Sequence, residues 1–137
     1  MRHPPAYTPL APGPDKPAIV PAPGEEVLTA ERCHISEAWN SPHDEALSIA
    51  HACVEPGVTT ALHALEGVAE RYVVIAGRGR VEVGDLPPSD VGPGDVVVIP
   101  AGTPQRISNT GSEELRFYCL CTPRFHPDCY RELKLDA

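Results

Sequence analysis

Lysine is almost missing from this 137-residue chain, where Lys16 and Lys134 are the two it has. With 11 Lys and Arg against 19 Asp and Glu, the formal net charge is −8. Phosphate backbones and anionic membrane surfaces are held by clustered cations, so neither nucleic acid nor a membrane is an expected partner. No apolar run approaches the length of a membrane span. The opening stretch MRHPPAYTPLAPGPDKP has none of the apolar core of a secretory leader. A cytoplasmic location is the expectation. CxxC pairs are missing as well. The five cysteines are an odd number without that spacing. Cys119 and Cys121 are alternate residues of one expected strand and read as small buried apolar residues, with a cysteine-based metal site the minor reading. Long helical periodicity is also lacking. A chain of this length still buries roughly two thirds of its unfolded surface, so it needs neither disulfides nor metal merely to fold.

What is present falls into two textures. Pro4, Pro5, Pro9, Pro12, Pro14, Pro17, Pro21 and Pro23 crowd the start. Proline cannot pair inside a sheet and favours extended chain. Residues 1–24 are therefore expected as an arm, loose or lying across a neighbouring subunit, and residues 25–137 as one domain with a C-terminal tail. In that domain short runs rich in Val, Ile and Tyr alternate with Gly, Pro and Asp. They cover 31–38, 46–54, 60–65, 70–75, 79–83, 96–99, 105–108 and 114–121, each of strand length. AGRGR and NTGSE suit hairpin turns. Frequent strands without intervening helices point to an all-β sandwich or barrel. The repeated turn VEPG at 54–57 and VGPG at 91–94 suits two Greek keys. The tail HPDCYRELKL is expected to form a short C-terminal helix, with Pro127 in its first turn and Asp128 near its positive end. The run VVVI at 96–99 lacks polar alternation and reads as buried on both faces. Something then covers the outside of the barrel, so a homodimer is expected.

The stretch from Gly57 to Gly77 resembles the first signature of the cupin superfamily. Gly57, His63, Glu70 and Gly77 stand in register, and Leu65 replaces the signature's second histidine. The second signature is matched by Gly94, Pro100, Gly102 and Asn109, with Gln105 where its histidine would stand. The flanks AERYVVIAGRGRVEVGD, IPAGTPQRISNTG and CTPRFHPDCY are similar to small single-domain bacterial cupins of the mannose-6-phosphate-isomerase-like, conserved-barrel type. The resemblance implies a double-stranded β-helix, a jelly-roll barrel, often with a divalent metal inside it.

Strand parity says which side chains meet. His63 and Leu65 share one face, Glu70, Tyr72 and Val74 another, and Gln105, Ile107 and Asn109 a third. If all three faces point inward, His63, Glu70 and Gln105 converge. An imidazole, a carboxylate and an amide oxygen suit a divalent ion such as Zn, Mn, Fe or Ni, with positions left open for substrate. The same three residues could equally be hydrogen-bonded to one another and to water with no metal, Leu65 filling the place of a ligand. His51, on the strand ALSIAHACV, is a minor further ligand candidate, more readily read as a core histidine. Tyr72 follows Glu70 and could offer its hydroxyl to substrate or sit as a core tyrosine. Arg71 and Arg106 have the outward parity, which counts against a sugar phosphate inside the barrel.

Two functions follow. The first is a metal-binding cupin acting on a small polar substrate. It would use isomerase-like or lyase-like chemistry, with Glu70 or a metal-bound hydroxide moving a proton and Tyr72 assisting. A dioxygenase is less favoured, because the cupins of that kind present three histidines to iron. The second is a non-catalytic cupin that binds a small molecule as a sensor or carrier around a degenerate metal site.

Overall fold

A computed structural model describes residues 13–134. Of the expected arm, residues 1–12 lie outside the described residues, and residues 13–26 form no strand. The described residues hold eleven strands. They are β1 (Val27–Leu28), β2 (His34–Trp39), β3 (Ser48–Val54), β4 (His63–Leu65), β5 (Ala69–Ala76), β6 (Gly79–Val83), β7 (Ser89–Val91), β8 (Val96–Ile99), β9 (Gln105–Asn109), β10 (Leu115–Thr122) and β11 (Tyr130–Glu132). They form a six-stranded sheet in the order β1-β2-β3-β10-β5-β8 and a five-stranded sheet in the order β11-β4-β9-β6-β7. All pairings are antiparallel. The result is the double-stranded β-helix that the two signatures implied. No helix among the described residues is long and apolar enough to cross a membrane.

Alternating burial along each strand builds the core. Tyr72 and Val74 of β5, Phe117 and Cys119 of β10, and Ala50 and Ala52 of β3 point inward from the larger sheet. Val81, Val83 and Ile107 meet them from the smaller one. A second cluster of Leu65, Val68, Cys121 and Phe125 closes one end. The signature residues serve this frame. Gly57, Gly77, Gly94 and Gly102 all take positive φ, at 78°, 87°, 92° and 77°. Asn109 ends β9 with its amide Nδ2 donating to the carbonyls of Val54 (2.8 Å) and Glu113 (2.7 Å), which ties the barrel wall to the turn that follows.

Two expectations are corrected. The C-terminal helix is a single 3-10 turn at Pro127–Cys129, after which β11 pairs with β4 through Tyr130↔Leu65, Arg131↔Ala64 and Glu132↔His63. Pro127 and Asp128 do open a helical turn, but the free edge of β4 recruits the next residues as a strand. β8 is also not buried on both faces. Val97 and Ile99 are inside, whereas Val96 and Val98 are 58% and 62% exposed.

Candidate functional site

β4 and β9 are neighbours with His63 directly opposite Gln105. Glu70 comes from β5, in the other sheet, and the Gln105 amide Nε2 donates to its Oε1 at 3.0 Å. Gln105 therefore bridges the two sheets. Its carbonyl Oε1 accepts a short hydrogen bond from the Tyr72 hydroxyl, while the Tyr72 ring tilts onto Phe117 at 4.5 Å between centroids. Cys121, opposite Glu70 in the β10–β5 register, directs its thiol at Glu70 Oε2 at 3.7 Å. The three residues picked out by parity are thus brought together, each 1% exposed, with Tyr72 joining them.

A further acidic group is present that the sequence did not single out. Glu31 Oε2 lies 3.6 Å from His63 Nδ1, and the same nitrogen is 2.9 Å from the Ala61 carbonyl. Glu31 is 3% exposed. A tight turn places it there. Thr29 binds the Cys33 carbonyl through both its amide (2.9 Å) and its hydroxyl (2.7 Å), and Arg32 takes a φ of 68°. The available signal was weak, a carboxylate at the head of the strand-length run 31–38. A carboxylate and a carbonyl beside Nδ1 favour a proton there, so in the neutral ring the lone pair is on Nε2. Tyr130 of β11 stacks on the imidazole at 5.0 Å with planes 24° apart. The space left among Glu31, Cys33, Thr60, His63, Tyr72 and Cys119 is about 10 Å³, at most a single water.

The other candidates lie elsewhere. His51 is on the outer face of β3, 3.5 Å from Glu26 and edge-on to Tyr118 at 5.5 Å. Burial first, then the nearby Arg116, lowers its pKa. It takes no part in the interior cluster. Arg106 grips Glu82 with two bonds of 2.6 and 3.1 Å, which holds the Glu82 carboxyl below its usual range. Arg71 donates to Thr122 Oγ1 at 2.5 Å. Both arginines face outward, as their parity required. Burial pushes the Cys53 thiol up to about 11, which makes it a poor nucleophile.

As arranged, this donor set does not fit a divalent ion. Gln105 turns N–H, not its lone pairs, towards Glu70, and its oxygen is taken by Tyr72. Leu65, 1% exposed, packs in the apolar cluster with Val68, Cys121 and Phe125. No group of three or more His, Cys, Asp or Glu among the described residues is placed to hold a metal. The ordered interior makes one result predictable. Tyr72→Phe keeps the ring but removes the hydroxyl that donates to Gln105 Oε1, and should cost about 2 kcal/mol in chemical denaturation.

A two-sheet β-helical barrel with a polar cluster at one end of its core defines a class, and comparison with known proteins agrees. Residues 50–121 match the Cupin_2 cupin-domain family, and the chain belongs to it. An uncharacterized protein of Methanocaldococcus jannaschii is 35% identical over 82 residues, which cover 59% of this chain and 65% of that protein, so the chain spans less than two thirds of its relative. Among solved structures, a predicted oxalate decarboxylase from Thermotoga maritima superimposes with a TM-score of 0.61 at 25% identity, covering 66% of this chain and 80% of that one. Oxalate decarboxylase from Bacillus subtilis gives 0.64 at 25%, covering 74% and 27%. A double-stranded β-helix protein from Klebsiella pneumoniae gives 0.61 at 17%, covering 84% and 90%, a likeness of fold alone.

Proposed function

We propose that this cupin is a small-molecule-binding protein, a sensor or carrier, whose interior holds a closed hydrogen-bonded cluster where its relatives' signatures place metal ligands. The Gln105 amide carries this reading. Both of its ends are committed, its oxygen accepting from Tyr72 and its N–H donating to Glu70, so the amide itself has partners without an ion. With room for only a water, a ligand must part the side chains that line this space to enter. It would then meet Glu31, Thr60, His63 and Tyr72 among apolar walls. Such a ligand is small, with one or two polar groups. Binding should be indifferent to chelation. In a thermal-shift screen of small polar compounds, hits should persist unchanged in excess EDTA. Hits that vanish in EDTA and return with Mn or Zn would overturn the reading.

One observation favours a second reading, a metal-dependent lyase. The two solved neighbours at 25% identity are described as oxalate decarboxylases, and decarboxylation breaks a carbon–carbon bond as the lyase expectation requires. It demands that the Gln105 amide turn over, so that its oxygen joins His63 and Glu70 around Zn, Mn, Fe or Ni. The EDTA arm of the same screen decides between the two.

A further inference from the structure

Three turns singled out in the sequence meet at one end of the barrel. AGRGR at 76–80, VGPG at 91–94 and NTGSE at 109–113 border a cleft of about 550 Å³. The registers bring them there, since Gly79 on β6 stands opposite both Val91 on β7 and Asn109 on β9. Gln105, opposite His63, is at the other end of β9, ~14 Å away at ~3.4 Å per residue. The cleft is therefore separate from the interior cluster.

Its walls are fixed before any ligand arrives. The Asp95 amide donates to the Gly92 carbonyl (3.0 Å), the Gly92 amide to Asp95 Oδ2 (2.8 Å), and the Gly94 amide to the Val74 carbonyl of β5 (2.8 Å). On the neighbouring turn the Thr110 amide donates to the Arg78 carbonyl (3.2 Å) and the Gly111 amide to Asn109 Oδ1 (2.9 Å). The Arg78 side chain lies along both walls. A Cβ at Gly92 would meet its Nη1 at 2.2 Å, and one at Gly111 would meet its Cβ at 3.5 Å. Neither glycine is among those with positive φ. What the missing side chain at 92 makes room for is the guanidinium, not an unusual backbone. Among the described residues no hydrogen bond or ion pair engages that guanidinium. A solvated surface arginine needs no such clearance.

The other charges of the cleft define the ligand. Arg80 is engaged with Asp90 at 3.4 Å, and Asp95 holds the Gly92 amide. One cation is left, with a planar fork that matches one carboxylate. A dianionic phosphate would face Asp90 and Asp95, which also line the cleft and repel a second negative charge. Those two carboxylates can only accept hydrogen bonds, so they favour a donor on the ligand. The volume suits a small molecule. We propose that this cleft binds a small monocarboxylate carrying a hydroxyl or amino group, its carboxylate forked onto Arg78 and its donor turned towards Asp90 or Asp95.

Glycolate and glycine are the probes, titrated into the full chain and followed by amide NMR. Both should shift the backbone amides of Gly92, Thr110 and Gly111 and the Arg78 Nε–H, saturably, and bind more tightly than acetate, which lacks the donor. Arg78→Gln removes the charge at an exposed position, and should weaken glycolate binding at least about tenfold. Gly92→Ala should weaken it similarly, because the added methyl displaces the tip of a flexible side chain and no backbone. Should Gly92→Ala disturb its own fold, Arg78→Gln alone decides. The proposal is overturned if these signals do not move, or if the shifts fall instead on His63, Glu70 and Gln105. It is equally overturned if acetate or inorganic phosphate binds as tightly as glycolate, or if Arg78→Gln leaves the glycolate Kd unchanged.

Discussion

Gln105→His combined with Leu65→His should turn this barrel into a zinc binder. His63 is directly opposite position 105, position 65 shares the face of His63, and Glu70 is 3.0 Å from the Gln105 amide. Imidazoles introduced at 65 and 105 would join His63 and Glu70 as a set of the kind zinc accepts. Removing Gln105 also releases Tyr72 and the Glu70 carboxylate from their present bonds. The double variant should bind Zn at least about a hundredfold tighter than the wild type, or about 2.7 kcal/mol. Without metal it should be the less stable protein. An imidazole at 65 enters the cluster of Val68, Cys121 and Phe125, at a cost of about 2 kcal/mol. Thermal melts should thus show a fall on substitution and a recovery with Zn that the wild type lacks. A variant that binds Zn no better than the wild type would mean that the strand faces do not converge as described.

Gly77→Ala should be the most damaging single-methyl change in the chain. At φ +87° any side chain is strained, and a Cβ here would lie 2.5 Å from the Glu114 carbonyl oxygen and 2.9 Å from the Leu115 Cα. Both neighbours are backbone at the head of β10, which pairs with β5 on one side and β3 on the other. Strain and displacement together should cost about 4 kcal/mol, roughly 15 °C in Tm. Gly57→Ala is the matched control. Its φ is +78°, but nothing lies within 4 Å of the added methyl, so it should cost about 1–2 kcal/mol. Equal losses at the two sites would show that the close approach at Gly77 is not what requires glycine.

The strands were legible because they obey a simple period. The runs at 79–83 and 96–99 coincide with β6 and β8, and the others differ by a few residues at the ends. What misled was context that no local pattern carries. Tyr130–Glu132 follows a genuine helical start signal, yet the open edge of β4 decides its conformation. The run VVVI is equally apolar whether its second face meets its own core or a separate surface, and β8 turns Val96 and Val98 outward. Within the site, parity alone brought His63, Glu70 and Gln105 together, because inward residues of facing strands must meet. Glu31 escaped because a turn of positive φ at Arg32, not a strand face, aims it. The state of Gln105 was beyond reach for a similar reason. Both arrangements, metal-bound and hydrogen-bonded, use the same three residues, and no local pattern shows the Tyr72 hydroxyl reaching across to the amide oxygen.

The claim that the wild-type interior is complete without an ion is tested most directly by elemental analysis of the untagged protein, purified without chelators, alongside melts with and without EDTA. The account predicts less than ~0.1 transition metal per chain and the same Tm in both melts, since a metal that held the fold would contribute its binding energy to stability. Near-stoichiometric Zn, Mn, Fe or Ni, with a Tm that falls on chelation, would contradict it.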